Sequence, residues 1–249
     1  MKISATLVAR MGSSRLPGKT LRPILGRPML ARQIERIRQS LLIDEIIVAT
    51  SAAPENDAIE ALAATEGVHC FRGSEDDVLG RVVGALRAHA VEIHVEFMGD
   101  NPLPDAGIVD SVIGFYLKHR DDYDYVTNAL TTTYPPGAEV YVYPARVLYD
   151  AELRARDAAL REHVGIHVYR HPERYRIHNL EAPPWLRFPE LHLEVDTEED
   201  FALVNAVYEA LYPRNPAFTI REAVDFVIGS GRAGQNAGVE RRWKAFRLG

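Results

Sequence analysis

The 249 residues suit one α/β domain with a small elaboration, and with 47% hydrophobic residues the chain can bury a substantial core. A formal charge of −6 argues against general nucleic-acid binding. The single cysteine, Cys70, excludes an internal disulfide and a cysteine-based zinc site. No leader precedes the first apolar run and no apolar run approaches ~18 residues, so the chain is expected to be soluble and cytoplasmic, without a membrane partner.

Residues 3–9 form a β-prone run that breaks into a loop. The loop carries Gly12, Gly18, Ser13, Ser14, Pro17 and three cations, Arg10, Arg15 and Lys19. Glycines let backbone N–H groups approach an anion, and Arg and Lys add charge and directional donors. A polyphosphate is the expected ligand. Gly18-Lys19-Thr20 ends like a Walker A loop, but that motif needs a glycine where Ser13 stands. No dinucleotide fingerprint is present in the loop.

Pro28 suits a first helical turn, and Met29, Leu30, Ile34 and Ile37 recur at helical spacing with Arg32, Glu35, Arg36 and Arg38 between them. Residues 46–50 read as a second strand, 58–64 as a helix closed by Gly67, and 68–71 as a third strand around Cys70, expected to be a small buried hydrophobe. This β-α-β-α-β rhythm implies a parallel sheet with covered faces. Ser74 with Asp77 is an N-cap signal for a helix reaching residue 90. Residues 91–98 form a fourth strand, ending in Gly99-Asp100-Asn101-Pro102-Leu103. Ligands of open α/β sheets bind at carboxyl ends of strands, where Asp100 would cap a turn or hold a hard cation.

Residues 105–118 read as a helix and 122–128 contain a short strand. A turn at 134–137 and an alternating run at 139–143 follow. The βα rhythm is then lost, with helices expected at 145–154 and 161–169. It resumes with a strand at 191–195 that ends in Asp196. Thr197 is an N-cap with Glu198 and Glu199 in the first turn. Helices at 201–212 and 220–228 close a single domain, residues 1–228, the second with a Thr219/Glu222 capping box. Residues 229–249, with Arg232, Arg241, Arg242, Lys244 and Arg247, read as a mostly flexible tail.

The run from Ala9 to Lys19, A-R-M-G-S-S-R-L-P-G-K, resembles the N-terminal signature of the cytidylyltransferases that activate sugars for bacterial polysaccharides. These include the spore-coat polysaccharide type, 3-deoxy-manno-octulosonate cytidylyltransferase and, more distantly, acylneuraminate cytidylyltransferase. The resemblance spans about residues 3–212. It implies a Rossmann-like, GT-A-like nucleotidyltransferase fold: a mainly parallel sheet flanked by helices, with a small antiparallel and helical insertion at about 130–190. It also implies a CTP site formed by Ala9, Arg10, Gly12, Ser13, Arg15 and Lys19, with Arg72, Ser74 and Val78 near the cytosine. Asp100, in a G-D-x-P-L element, and Asp196, in V-D-T-x-E-D, would hold Mg²⁺. Arg10, Arg15, Lys19 and Asp100 would carry catalysis. Arg161-Glu162-His163-Val164 resembles the R-E-H-V element of the spore-coat branch, which places Glu139, Tyr141 and His163 at a sugar-like acceptor. That branch reads D-V-E where this chain has Glu139-Val140-Tyr141, so the second carboxylate is missing. The resemblance also implies a homodimer with the insertion at its interface. The implied reaction is attack of the acceptor on the α-phosphorus of CTP, with pyrophosphate leaving. A P-loop-like kinase, a GT-A type glycosyltransferase and a non-catalytic nucleotide sensor are the other readings. Loop register weakens the first, and the lack of D-x-D at Asp100-Asn101-Pro102 weakens the second.

Overall fold

In the computed structural model, which describes residues 1–241, the alternating pattern becomes a central sheet covered on both faces. Its first half comprises β1 (Ile3–Val8), a small hairpin of β2 (Pro23–Ile24) and β3 (Arg27–Pro28), α1 (Met29–Ile37), β4 (Glu45–Ser51), α2 (Asp57–Thr65), β5 (His69–Gly73), α3 (Val78–Ala88) and β6 (Ile93–Met98). The second half comprises α4 (Ala106–Lys118), β7 (Tyr125–Thr127), β8 (Tyr141–Pro144), α5 (Ala145–Arg154), α6 (Ala158–Arg161), α7 (Ile166–Tyr169), β9 (Ile177–Asn179), α8 (Glu198–Leu211) and α9 (Ile220–Gly229). Seven strands lie in the order β5-β4-β1-β6-β8-β7-β9. β8 runs antiparallel to both its neighbours, and the other pairs are parallel. The strands of residues 125–179 thus extend the same sheet.

Period-two alternation decides what each face holds. Ala5, Leu7, Val48, Val95 and Phe97 pack with α1, α4, α8 and α9. Ile47, Ala49, Tyr125 and Tyr143 pack with α3, α5 and α7. Cys70 is only half-buried against the first of these cores, and burial raises its thiol pKa to about 11. Among the described residues no helix is long and apolar enough to cross a membrane.

Several local expectations are corrected. Residues 191–195 are not a strand, although Leu193 N donates to Pro136 O at 2.7 Å. The expected helix 161–169 is broken into α6 and α7 at Glu162–Gly165. A Cβ at Gly165 would lie 2.9 Å from the Tyr125 hydroxyl, so the chain there is pressed against the sheet. Asp77, not Ser74, caps α3 by accepting from Gly80 N, while Ser74 Oγ accepts from Asp77 N at 3.1 Å. On α1, Arg32 and Arg36 are buried despite their place in the polar series. Arg36 donates through Nε to Pro104 O and through Nη2 to Phe218 O and lies 4.3 Å from the centre of the Phe218 ring, so its burial is offset by two carbonyls and a ring face.

The expected flexible tail is docked as far as residue 241. Arg241, buried, donates to both carboxylate oxygens of Asp200 at 3.1 and 2.8 Å. Asn236 donates to His192 O and to Asp200 Oδ1. Arg242, Lys244 and Arg247 lie outside the described residues.

Candidate active site

The strand order reverses direction between β1 and β6, which makes a crevice at their carboxyl ends. The two strands pair in parallel with Val8 opposite Met98, so the loop after β1 faces the Gly99-Asp100 turn after β6. Gly99 is required there: its N donates to Val8 O at 2.8 Å, and a Cβ would meet that oxygen at 2.7 Å. Asp196 is brought in by Val195 N, which donates to Asp100 O at 2.8 Å. Tertiary pairing thus closes a long sequence separation.

The β1 loop is held from within and from β4. Ser13 N and Gly18 N both donate to Met11 O, and Gly18 has φ +72°, which glycine tolerates. Thr20 Oγ1 donates to Arg10 O at 2.9 Å, and Met11 N donates to Asn56 Oδ1 at 2.9 Å. Asn56 is itself fixed by donating to Ser51 Oγ at 2.7 Å.

The crevice opens into a cleft of about 510 Å³. Ala9, Arg10, Gly12, Ser13, Arg15, Lys19, Val78, Asp100, Glu139, Tyr141, His163 and Asp196, all expected from sequence, line it. Arg72 and Ser74 do not. The Arg72 guanidinium is turned to Asp57 and Glu60 at 2.7 and 2.8 Å and to the carbonyls of Ser51 and Ala53, bracing β5 against α2. Glu139 is tied beside Asp100 rather than standing apart: its Oε2 accepts from Asn101 Nδ2 at 3.0 Å and Gly137 N at 2.8 Å. His163 sits in the break before α7, and burial lowers its pKa.

Charge converges on two aspartates. Arg15 reaches Asp196 Oδ2 at 2.7 Å, and Lys19 Nζ reaches Asp196 Oδ1 at 3.1 Å and Asp100 Oδ2 at 3.8 Å. Arg10 pairs with Glu75 at 2.9 Å. Asp100 is raised to about 6, first by its recessed position, against the lowering effect of Lys19, and further by Asp196, Glu194 and Glu139. A carboxylate group that repels itself in this way, with one ammonium between two of its members, fits a hard divalent cation.

The cleft residues that sequence reasoning missed include Glu96, Arg81 and Tyr125. Glu96 accepts from the Tyr143 hydroxyl on the buried face of β6, and burial raises it to about 7. Arg81 is buried and donates to Ser74 O at 2.9 Å. The alternation I-H-V-E-F-M in β6 was the available signal for Glu96, since it puts His94 and Glu96 on one face.

A family model described as cytidylyltransferase matches residues 5–227. The spore coat polysaccharide biosynthesis protein SpsF of Bacillus subtilis is 36% identical over 206 residues, covering 81% of this chain and 84% of its own. A solved cytidylyltransferase from Leptospira borgpetersenii superposes with a TM-score of 0.90 at 25% identity, covering 97% of this chain and all of the other. CMP:2-keto-3-deoxy-manno-octonic acid synthetase, solved with CTP, shares the fold with a TM-score of 0.62 at 19% identity, over 84% of this chain and 99% of its own.

Proposed function

The chain belongs to the cytidylyltransferase family and is a nucleotidyltransferase, and from that premise we propose that it uses CTP to activate a sugar-like acceptor for polysaccharide synthesis, releasing pyrophosphate. The observation that carries this reading is the meeting of Lys19 with both Asp100 and Asp196 at the switch point of the sheet. The acceptor oxygen bonds to the α-phosphorus as the bridge to the β-phosphate breaks, and negative charge moves onto the leaving pyrophosphate. Arg10, Arg15 and Lys19 meet that charge in a fixed loop, so little reorganisation is needed during reaction. Their partners without nucleotide, Glu75 and Asp196, hold them in place beforehand. Asp100 and Asp196 hold a divalent cation, read as Mg²⁺. When bound, it supplies Lewis-acid neutralisation at the phosphate oxygens. Glu139, Tyr141 and His163, which line the same cleft, take the acceptor.

Release of pyrophosphate from CTP, assayed against a panel of free and phosphorylated sugars, tests the reading. Release that depends on one acceptor and yields its CMP or CDP derivative supports it. Transfer of the γ-phosphate, or a CDP-sugar consumed as donor, would refute it.

A further inference from the structure

At the end of the sheet opposite the cleft, three ligating side chains meet. Glu45 opens β4, His69 opens β5, and His89 is the C-cap of α3. One donor atom from each lies within 4.8 Å of the other two. The imidazoles of His69 and His89 are 4.5 Å apart between ring centres, and His69 Nε2 is 3.6 Å from Glu45 Oε2. The other carboxylate oxygen, Glu45 Oε1, accepts from Ser4 Oγ at 2.6 Å and pairs with Lys2 Nζ at 2.9 Å. Those two contacts fix the carboxylate and leave Oε2 turned to the imidazole. Lys2 Nζ also donates to His89 O at 2.9 Å, so the same ammonium steadies the backbone that carries the third group. Outer contacts that orient a carboxylate in this way are the usual support of metal ligands.

Packing of β4, β5 and α3 accounts for the proximity of the three residues. It does not require that two imidazoles and a carboxylate be the side chains there. Two nitrogens and one oxygen suit borderline ions such as zinc, nickel or copper, not magnesium or calcium. His69 is 57% exposed, which gives an ion a way in. β4 and β5 span about 3.3 Å per residue, so the cluster stands on the order of 20 Å from the cleft and shares no residue with it.

We propose that Glu45, His69 and His89 form a second metal site, for a borderline divalent transition-metal ion such as zinc. The ion joins the edge strand β5 and the end of α3 to β4, so its effect is on stability rather than turnover. The test uses the full-length protein, stripped with chelator and kept in excess Mg²⁺ so that hard-oxygen sites are filled. Zn²⁺ is titrated by calorimetry, and Cu²⁺ binding is followed by electron paramagnetic resonance. The expected result is one Zn²⁺ bound per chain with micromolar affinity, a raised Tm, and nitrogen couplings from two imidazoles in the Cu²⁺ spectrum. His69→Ala, at an exposed position, should weaken binding at least about tenfold and abolish the Tm rise, and His89→Ala should remove the second nitrogen. Asp100→Asn should change neither. Binding that survives His69→Ala, binding only at millimolar Zn²⁺, or loss of binding in Asp100→Asn would each overturn the proposal. Should His89→Ala fail to fold, His69→Asn with the unchanged His89 still decides the question.

Discussion

Lys19 balances two carboxylates at once, and the consequences can be tested one side chain at a time. Asp100→Asn removes a charge that its neighbours already disfavour. Its kcat should fall by at least about 10²-fold while the Tm stays level or rises. Steady-state kinetics beside a thermal melt checks this, and lost activity with a lowered Tm would mean a structural role instead. Glu96 makes a separate prediction. Its folded pKa of about 7 lies above the ordinary 4.5, so the protonated form favours the fold. That stability is present below about pH 4.5 and is lost as the pH rises through about 7, a change on the order of 3 kcal/mol. Glu96→Gln should therefore melt higher than the parent near pH 8 and equally near pH 4.5. The loop cations and Asp100 were legible in the sequence because glycines, charge and strand ends coincide there. Glu96 was not, because β6 reads as a uniformly buried strand when its alternating His94 and Glu96 are passed over.

Among elements, the regular helices were legible and the joints were not. The start of α1 at Pro28 and the capping boxes of α8 and α9 follow from local chemistry. The break between α6 and α7 ends at Gly165, where a side chain would meet Tyr125, a long-range contact that the periodicity of 161–169 does not show. The docked tail depends on a distant partner in the same way. Asp200 accepts from Asp196 N and Thr197 N while both its oxygens are bound by Arg241. The tail thus backs the turn that presents Asp196 to the cleft. Arg241→Met leaves a buried carboxylate short of a partner and should cost about 3 kcal/mol. It should also lower kcat/KM, and adding Asp200→Asn should recover part of the stability, as a double-mutant cycle by denaturant unfolding would read. Additive losses would show that the two side chains do not act together.

For the whole molecule, the parallel half of the sheet was legible from its βα rhythm. In the second half the strands near 125 and 141 were legible, but β9 and the joining of all three to the main sheet were not, because they are short and pair out of chain order, with β8 reversed. That arrangement places Tyr125, Glu139 and Tyr141 around the same crevice as the loop of residues 10–19. The central claim is that this crevice selects CTP, and calorimetric titration with CTP, UTP, ATP and GTP, each with Mg²⁺, tests it most directly. The account predicts that CTP binds well and the others weakly, and that Lys19→Met abolishes the CTP signal in a folded protein. Preference for ATP or GTP, or CTP binding unchanged by Lys19→Met, would contradict it.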